Sequence, residues 1–180
     1  MTVPTAVLAT AAVLAATTAC SSDEPAAPTP TPTYNLEPRA VRPDEQALQL
    51  PATRDDDTSF LPIGLTTGTA TLVGSHAEFA AKGQYVRVRL VVTNVGRSSV
   101  LFNARRQQLV LDDGRPRTPD PQAMLIKRQP GSFDLGAGVR VEFDLYYDVP
   151  KTAKATALLV YGGPTLTDMK DLEGTKIALP

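Results

Sequence analysis

The chain has 180 residues, 42% hydrophobic and 21% charged, with a net charge of −1; that is length for one ordinary domain with appendages and too little for two independent cores. A single cysteine excludes an internal disulfide, a CxxC redox pair and a cysteine-rich zinc site. The near-zero total hides an asymmetry: residues 1–65 hold three basic and eight acidic residues, −5, whereas residues 66–180 hold fifteen and eleven, +4, too dispersed for a nucleic-acid footprint.

Residues 2–19, TVPTAVLATAAVLAATTA, carry no charge and end in small residues directly before Cys20. An apolar run of this kind is accepted by a translocon, and small residues let a peptidase reach the backbone beside the cysteine. The segment resembles a lipoprotein signal peptide, which implies that the Cys20 thiol takes a diacylglycerol and anchors the chain to the membrane. It departs from that pattern in two respects: no Lys or Arg precedes the apolar run, and Thr17 stands where a leucine is usual. An ordinary secretory signal or an uncleaved apolar anchor is the alternative; Ser21-Ser22-Asp23 favours lipidation.

Eight of the sixteen prolines fall between Pro25 and Pro62, including the alternation of Pro28 to Thr33. Such a stretch buries too little apolar surface to offset the entropy of ordering it. Residues 20–58 are therefore assigned to a Pro/Ala/Thr-rich acidic tether; fully extended, its 34 residues from Ser21 to Arg54 would reach roughly 100 Å. Asp55-Asp56-Asp57 lacks the glycine and glutamate spacing of a calcium loop and is expected to be a solvated acidic run. Ala47-Leu48-Gln49-Leu50 has the alternation to fold back as an added strand, which the sequence does not decide. The opposite charges of tether and domain are expected to attract each other weakly, within the limits of screening.

From Thr66 onward the pattern becomes period-two. Val139, Val141, Phe143, Leu145 and Tyr147 are expected inward, with Arg140, Glu142, Asp144, Tyr146 and Asp148 facing solvent. In residues 85–93, Val86, Val88, Leu90 and Val92 alternate in the same way against Tyr85, Arg87, Arg89, Val91 and Thr93. Shorter strands are predicted at 69–73, 99–103, 107–111, 124–128, 156–161 and 175–179, with one helical turn in 166–172. Asn94-Val95-Gly96, Asp112-Asp113-Gly114, Pro130-Gly131, Gly136-Ala137-Gly138 and Gly162-Gly163-Pro164 supply the turns between them. Short strands, regular turns and almost no helical period specify an all-β antiparallel β-sandwich. Because every clear strand follows residue 58, the domain is placed at 59–180 and is expected to fold without the preceding residues.

The succession of residues 84–94, Phe102-Asn103-Ala104, Leu109 to Gly114, Leu135 to Gly138 and Phe143 to Pro150 resembles the telokin-like bacterial domains of unknown function. Those domains occur in exported lipoproteins and are similar to small secreted mycobacterial immunoprotective antigens. The resemblance implies an immunoglobulin-like β-sandwich and supplies no catalytic motif to transfer. Leu135 replaces the usual proline of the late turn, and the immunoglobulin disulfide and tryptophan are absent.

Candidate chemistry is sparse. His76 is the sole imidazole, and no G-x-S-x-G elbow accompanies Ser75 beside it. Asp112-Asp113 reads first as a hairpin turn, and Asp144 with Asp148 as an exposed strand face rather than a glycosidase pair. After signal removal only Met124, Met169 and His76 remain as soft donors for a copper site, which needs several together. Arg87, Arg89 and Arg140 on outward faces, with Arg105-Arg106 in a loop, are expected to keep the sheet soluble. No catalytic, metal or cofactor residues are assigned and no enzyme activity is expected. The expected function is that of a lipid-anchored lipoprotein on the extracytoplasmic face of the membrane, or a secreted one. It would present a non-catalytic interaction or structural module to an envelope protein or wall polymer; a small-ligand or metal carrier is the alternative.

Overall fold

Alternating hydrophobicity is realised as antiparallel sheet in the computed structural model, which describes residues 37–75, 77–165, 169 and 173–180. Glu37–Pro180 form one compact unit. In chain order the strands are β1 (Gln46–Ala47), β2 (Thr53–Asp55), β3 (Thr58–Val73), β4 (Glu78–Asn94), β5 (Val100–Asn103), β6 (Gln108–Leu111) and β7 (Pro116–Arg117). A short helix α1 (Pro121–Ile126) follows, then β8 (Ser132–Leu135), β9 (Arg140–Val149), β10 (Ala155–Val160) and β11 (Thr175–Ala178). One sheet runs β1-β3-β4-β9, with β2 also pairing with β3; the second runs β11-β10-β6-β7; β5 and β8 form a ribbon. All these pairings are antiparallel. The fold is the expected immunoglobulin-like β-sandwich.

One side of the long sheet behaves as its pattern requires. Val86, Val88, Leu90 and Val92 of β4 and Phe143, Leu145, Tyr147 and Val149 of β9 are buried in a single core with Leu109, Leu111, Leu158, Val160 and Ile177. Phe102 ties the ribbon to that core, its ring 6.1 Å from Phe60, 5.4 Å from Phe133 and 5.9 Å from Phe143. Each such side chain contributes about 1.5–3 kcal/mol of burial free energy before ordering costs. The buried Tyr147 hydroxyl donates to the Gln107 carbonyl at 3.2 Å, which satisfies its one polar atom. Val139, expected inward, is instead 44% exposed in the turn closed by its N–H on the Gly136 carbonyl, where Gly138 takes φ +72°.

Three sequence expectations are corrected here. The first is the domain boundary: residues 37–58 do not behave as a solvated spacer. Gln46 and Ala47 pair with Leu65 and Gly64, the Leu48 N–H donates to the Ile63 carbonyl at 3.0 Å, and β2 pairs with β3. Prolines in this stretch interrupt strand pairing without preventing it, because they lie outside β1 and β2. The added strand left open by the sequence is therefore present, and the domain begins near Glu37.

The second correction is the acidic triplet. Asp55 is buried, accepting from the Gly162 N–H at 2.6 Å and from the Thr175 hydroxyl, while Asp56 occupies the turn at φ +48°. Asp55-Asp56-Asp57 thus closes the β2–β3 hairpin rather than forming a solvated run. The third is the strand expected at 124–128. Asp120 accepts from the Ala123 N–H at 2.7 Å and Pro121 opens the helix, an N-cap and N1 pair that starts α1. This segment also covers the outer edge of β9: the Asp120 N–H donates to the Tyr146 carbonyl, and the Asp144 N–H to Gln129 Oε1, both at 2.8 Å. An edge strand is thereby withheld from further pairing.

Candidate functional site

The other side of the long sheet was expected to face water, and it does not. Arg89 is 2% exposed and Asp144 5%, while Tyr85, Tyr146 and Val91 are buried as well. Residues 39–48 cross this face as a strap. Arg39 lies level with Glu142, Arg42 with Asp144, and Asp44 with Arg87. The alternation of β4 and β9 is intact, yet the polar set is interior because the chain's own N-terminal segment covers it.

Arg89 is the centre of the arrangement. Its Nε and Nη2 donate to Glu142 Oε1, its Nη1 to Glu45 Oε2 at 3.1 Å and to the Ala40 carbonyl at 3.0 Å, and Nη2 also to the Arg39 carbonyl at 3.1 Å. Glu45 Oε2 also accepts from the Arg42 N–H at 3.0 Å, and Arg42 reaches Asp144 at 2.9 Å. Arg87 donates to Asp44 at 3.2 Å and to the Thr66 hydroxyl at 2.9 Å. Four arginines, at 39, 42, 87 and 89, thus face four carboxylates, at 44, 45, 142 and 144. Strap and sheet each contribute two arginines and two carboxylates, so the pairing is between two neutral sets and does not express the charge asymmetry of the sequence.

Gly64 makes the burial of Glu45 possible. A Cβ at this position would fall 2.2 Å from Glu45 Cδ, so a side chain at Gly64 and the carboxylate of the strap cannot both be accommodated. The register of β3 against β4 also shifts between Pro62 and Gly64, a local irregularity of the kind that re-aims backbone in a strand. Glu45 Oε1 and Arg87 Nε are buried without a hydrogen-bond partner; Glu45 Oε1 lies 3.9 Å from Arg87 Nη2, an electrostatic contact beyond hydrogen-bond distance.

Electrostatics follow from the pairing. Burial pushes the Glu142 carboxyl up, but the Arg89 hydrogen bond, the Arg39 N–H and both guanidinium charges outweigh it and hold the group below the ordinary carboxylate value. Burial works against the charge on Arg89, and its hydrogen bonds and charge attraction to Glu142 and Glu45 reverse that, raising its pKa. Burial, then the Asp144 charge, raises the Tyr146 phenol. The result is a charge-balanced face in which the carboxylates accept and the arginines donate within the fold, an arrangement suited to holding the strap rather than to moving protons.

The remaining sequence candidates are placed apart. Asp148 accepts from the Lys82 N–H at 2.9 Å and the Gly83 N–H at 3.3 Å, and with Asp120 borders a shallow cleft of about 370 Å³. Asp113 accepts from the Arg115 N–H at 2.8 Å and the Arg117 guanidinium at 3.0 Å in the turn after β6, with Gly114 at φ +73°. The Arg115 N–H and then the neighbouring guanidinium charges outweigh desolvation and hold Asp113 below its ordinary value. Arg106 lies 4.5 Å over the Tyr161 ring. Met124 is buried in the core and Met169 is 75% exposed. Cys20 and His76 lie outside the described residues, as does the helical turn expected in 166–172 apart from Met169. Among the described residues no group of three or more His, Cys, Asp or Glu is arranged to hold a metal ion, and no helix is long and apolar enough to cross a membrane.

Three buried amides were not expected to hold the fold together: Gln84 and Gln107 carried no role, and Asn94 was expected only as a turn residue. Gln84 holds the carbonyls of Pro150, Lys151 and Ala153, Gln107 those of Asn103 and Tyr161, and Asn94 those of Ser98 and Leu135. Each fixes loops at a sheet end. Their one sequence signal is a polar amide directly beside an apolar alternating run.

A family model described as a domain of unknown function, DUF4352, matches residues 53–170. No curated protein matches. Among solved structures, the yjhA protein of Bacillus subtilis is 14% identical and covers 72% of this chain and 97% of its own, with a TM-score of 0.54. A conserved hypothetical protein of Bacillus anthracis is 13% identical, over 64% and 89%, with a TM-score of 0.50. The secreted protein MPT63 of Mycobacterium tuberculosis is 18% identical, over 70% and 90%, with a TM-score of 0.44. At these identities the likeness to the two Bacillus structures is one of fold.

Proposed function

This chain belongs to the DUF4352 family, a domain of unknown function, and we propose that it is a lipid-anchored lipoprotein presenting a non-catalytic β-sandwich on the extracytoplasmic face of the cell membrane. The observation that carries the reading is the position of the sole cysteine, directly after eighteen uncharged, mostly apolar or small residues and sixteen residues ahead of the compact unit that begins at Glu37. A thiol so placed has no cysteine to pair with. Thioether attachment of a diacylglycerol, with an acyl chain on the new amino terminus, supplies several chains where one alone anchors only marginally. The non-catalytic reading is supported by the charged groups of the long sheet, which are held by one another beneath the strap. An envelope protein or a wall polymer is the partner such a module would meet.

Metabolic labelling with a fatty-acid analogue, followed by membrane fractionation, tests the anchor. The unmutated chain is expected to take label and sediment with membranes, and Cys20→Ser to take none while retaining a folded domain. An unmutated chain that is cleaved, unlabelled and soluble would identify an ordinary secretory signal and remove the lipoprotein reading.

A further inference from the structure

The strap is held to the sandwich by a different chemistry from the one that holds the sandwich together. Of residues 37–48 only Glu45 and Leu48 are buried, Arg42 is half-buried and the rest are exposed. Leu48 is the one apolar side chain that the strap commits to the core. Its other attachments are the ion pairs of Arg39, Arg42, Asp44 and Glu45, the two paired residues of β1, and backbone carbonyls offered to Arg89. The charged groups beneath also have partners within their own sheet. Arg89 Nε donates to Glu142 Oε1 at 2.9 Å, Arg87 Nη2 to the Thr66 hydroxyl at 2.9 Å, and the Tyr146 hydroxyl to Asp144 at 3.5 Å. Alternation keeps these groups on the side of β4 and β9 away from Phe143, Leu145 and Tyr147, so lifting the strap leaves that core covered. Closure also buries Glu45 Oε1 and Arg87 Nε without a hydrogen bond, and release returns both to water, which offsets part of the cost of opening. The chain marks where opening stops. Residues 49–52 belong to no strand, and directly after them β2 is fixed: it pairs with β3, and the Asp55 carboxylate accepts from the Gly162 N–H at 2.6 Å and from the Thr175 hydroxyl.

We propose that residues 37–48 are a releasable latch, which leaves the charged face as a unit while β2 to β11 stay folded. Proteins open in cooperative units, and those with few buried apolar contacts open first. The open state bares Arg87, Arg89, Glu142 and Asp144. It also adds twelve residues, about 40 Å of extended chain, to the segment ahead of the domain. That added reach has a use only if the chain is anchored at Cys20, and so rests on the proposed function; the opening itself does not.

Native-state hydrogen exchange tests the latch on the chain from Ser21 onward, which carries no lipid, so the outcome is independent of whether Cys20 is acylated. The reporters are the amides of Glu45 and Leu48, bonded to the Arg42 and Ile63 carbonyls, against those of Val88 and Leu90 in β4, which is paired on both sides. Glu45 and Leu48 are expected to exchange at least about tenfold faster than Val88 and Leu90. At low urea their rates are expected to stay constant, because opening the strap exposes little surface, while those of Val88 and Leu90 rise steeply. Leu158→Ala, in the second sheet, weakens the closed and open states alike relative to the unfolded chain. It is expected to speed the β4 amides at least about tenfold and to leave the strap amides as they were. One rate for all four amides, with one response to urea and to Leu158→Ala, would overturn the proposal, because the strap would then leave only with the whole domain. Strap amides as unprotected as those of an unstructured peptide would overturn it as well, because the latch would never close.

Discussion

Glu45 Oε2 and Arg89 Nη1 stand 3.1 Å apart, the Glu45 side chain 0% and the Arg89 side chain 2% exposed. Two charges so far removed from water stabilise a fold little compared with an apolar pair of the same shape, yet removing either alone is costly. Arg89→Met leaves both Glu45 and Glu142 without their main partner and is expected to cost about 3–5 kcal/mol in urea unfolding. The double variant Glu45→Met with Arg89→Met is expected to recover part of that loss, and additive effects in the cycle would show that the two residues do not interact.

Gly64 provides the floor on which Glu45 rests, so Gly64→Ala is expected to expel the strap's carboxylate. The steric cost depends on what stands opposite: a Cβ at 2.2 Å from Glu45 Cδ must displace it. In a Glu45→Ala background that conflict disappears. The substitution at Gly64 is therefore expected to be clearly destabilising in the parent, by about 2 kcal/mol, and near neutral in the Glu45→Ala protein. Equal effects in both would place the strap elsewhere.

How far the sequence carries this fold is clear from β9. Its inward set, Phe143, Leu145 and Tyr147, is legible because a period of two on an apolar face has one physical solution. Its outward set, Glu142, Asp144 and Tyr146, is equally legible as a face but not as a buried one. What covers a sheet depends on contacts a hundred residues away, such as Arg42 with Asp144, and proline-rich composition around that arginine argued for solvent. Helix α1 stands where a strand is expected for a local reason: the apolar run Met124-Leu125-Ile126 fits either period, and the Asp120 cap with Pro121 at the first helical position decides for a helix. Arg87, Arg89, Glu142 and Asp144 are legible as one side of two strands, but as a solvated side; Arg39, Arg42, Asp44 and Glu45 fall in the stretch read as a tether, so neither the ion pairs nor the strap is legible.

The pH dependence of stability is expected to carry the signature of Glu142. Its carboxyl is held below the ordinary value of 4.5. A group depressed in the folded state contributes stability that is present above its unfolded value and lost as pH falls through its lower folded value. The stability difference between the parent and Glu142→Gln is therefore expected to be full above 4.5 and to shrink below it, followed by denaturant unfolding at each pH. A difference independent of pH across that window would remove Glu142 from the acid response.

Asp144→Asn and Phe143→Asp separate the two faces of one strand. A solvent-facing Asp144 would make the first substitution silent, at under about 0.5 kcal/mol. With its side chain 8% exposed and 2.9 Å from Arg42, the expected cost is instead about 1–2 kcal/mol. Phe143→Asp introduces a charge into the core and is expected to cost several kcal/mol or prevent folding. A silent Asp144→Asn would mean that the face is open to water.

The central structural claim is that residues 37–48 are part of the domain and close its charged face. Thermal unfolding of three chains, beginning at Ser21, at Glu37 and at Ser59, tests it most directly. The first two are expected to melt at the same temperature by circular dichroism. The third, without the strap, β1 and β2, is expected to melt far lower or not to fold, because Arg89 loses Glu45 and the Arg39 and Ala40 carbonyls, Asp144 loses Arg42, and β3 loses its pairing at Leu65. A chain from Ser59 as stable as the chain from Glu37 would contradict the account, and would return residues 37–58 to the role of a simple spacer.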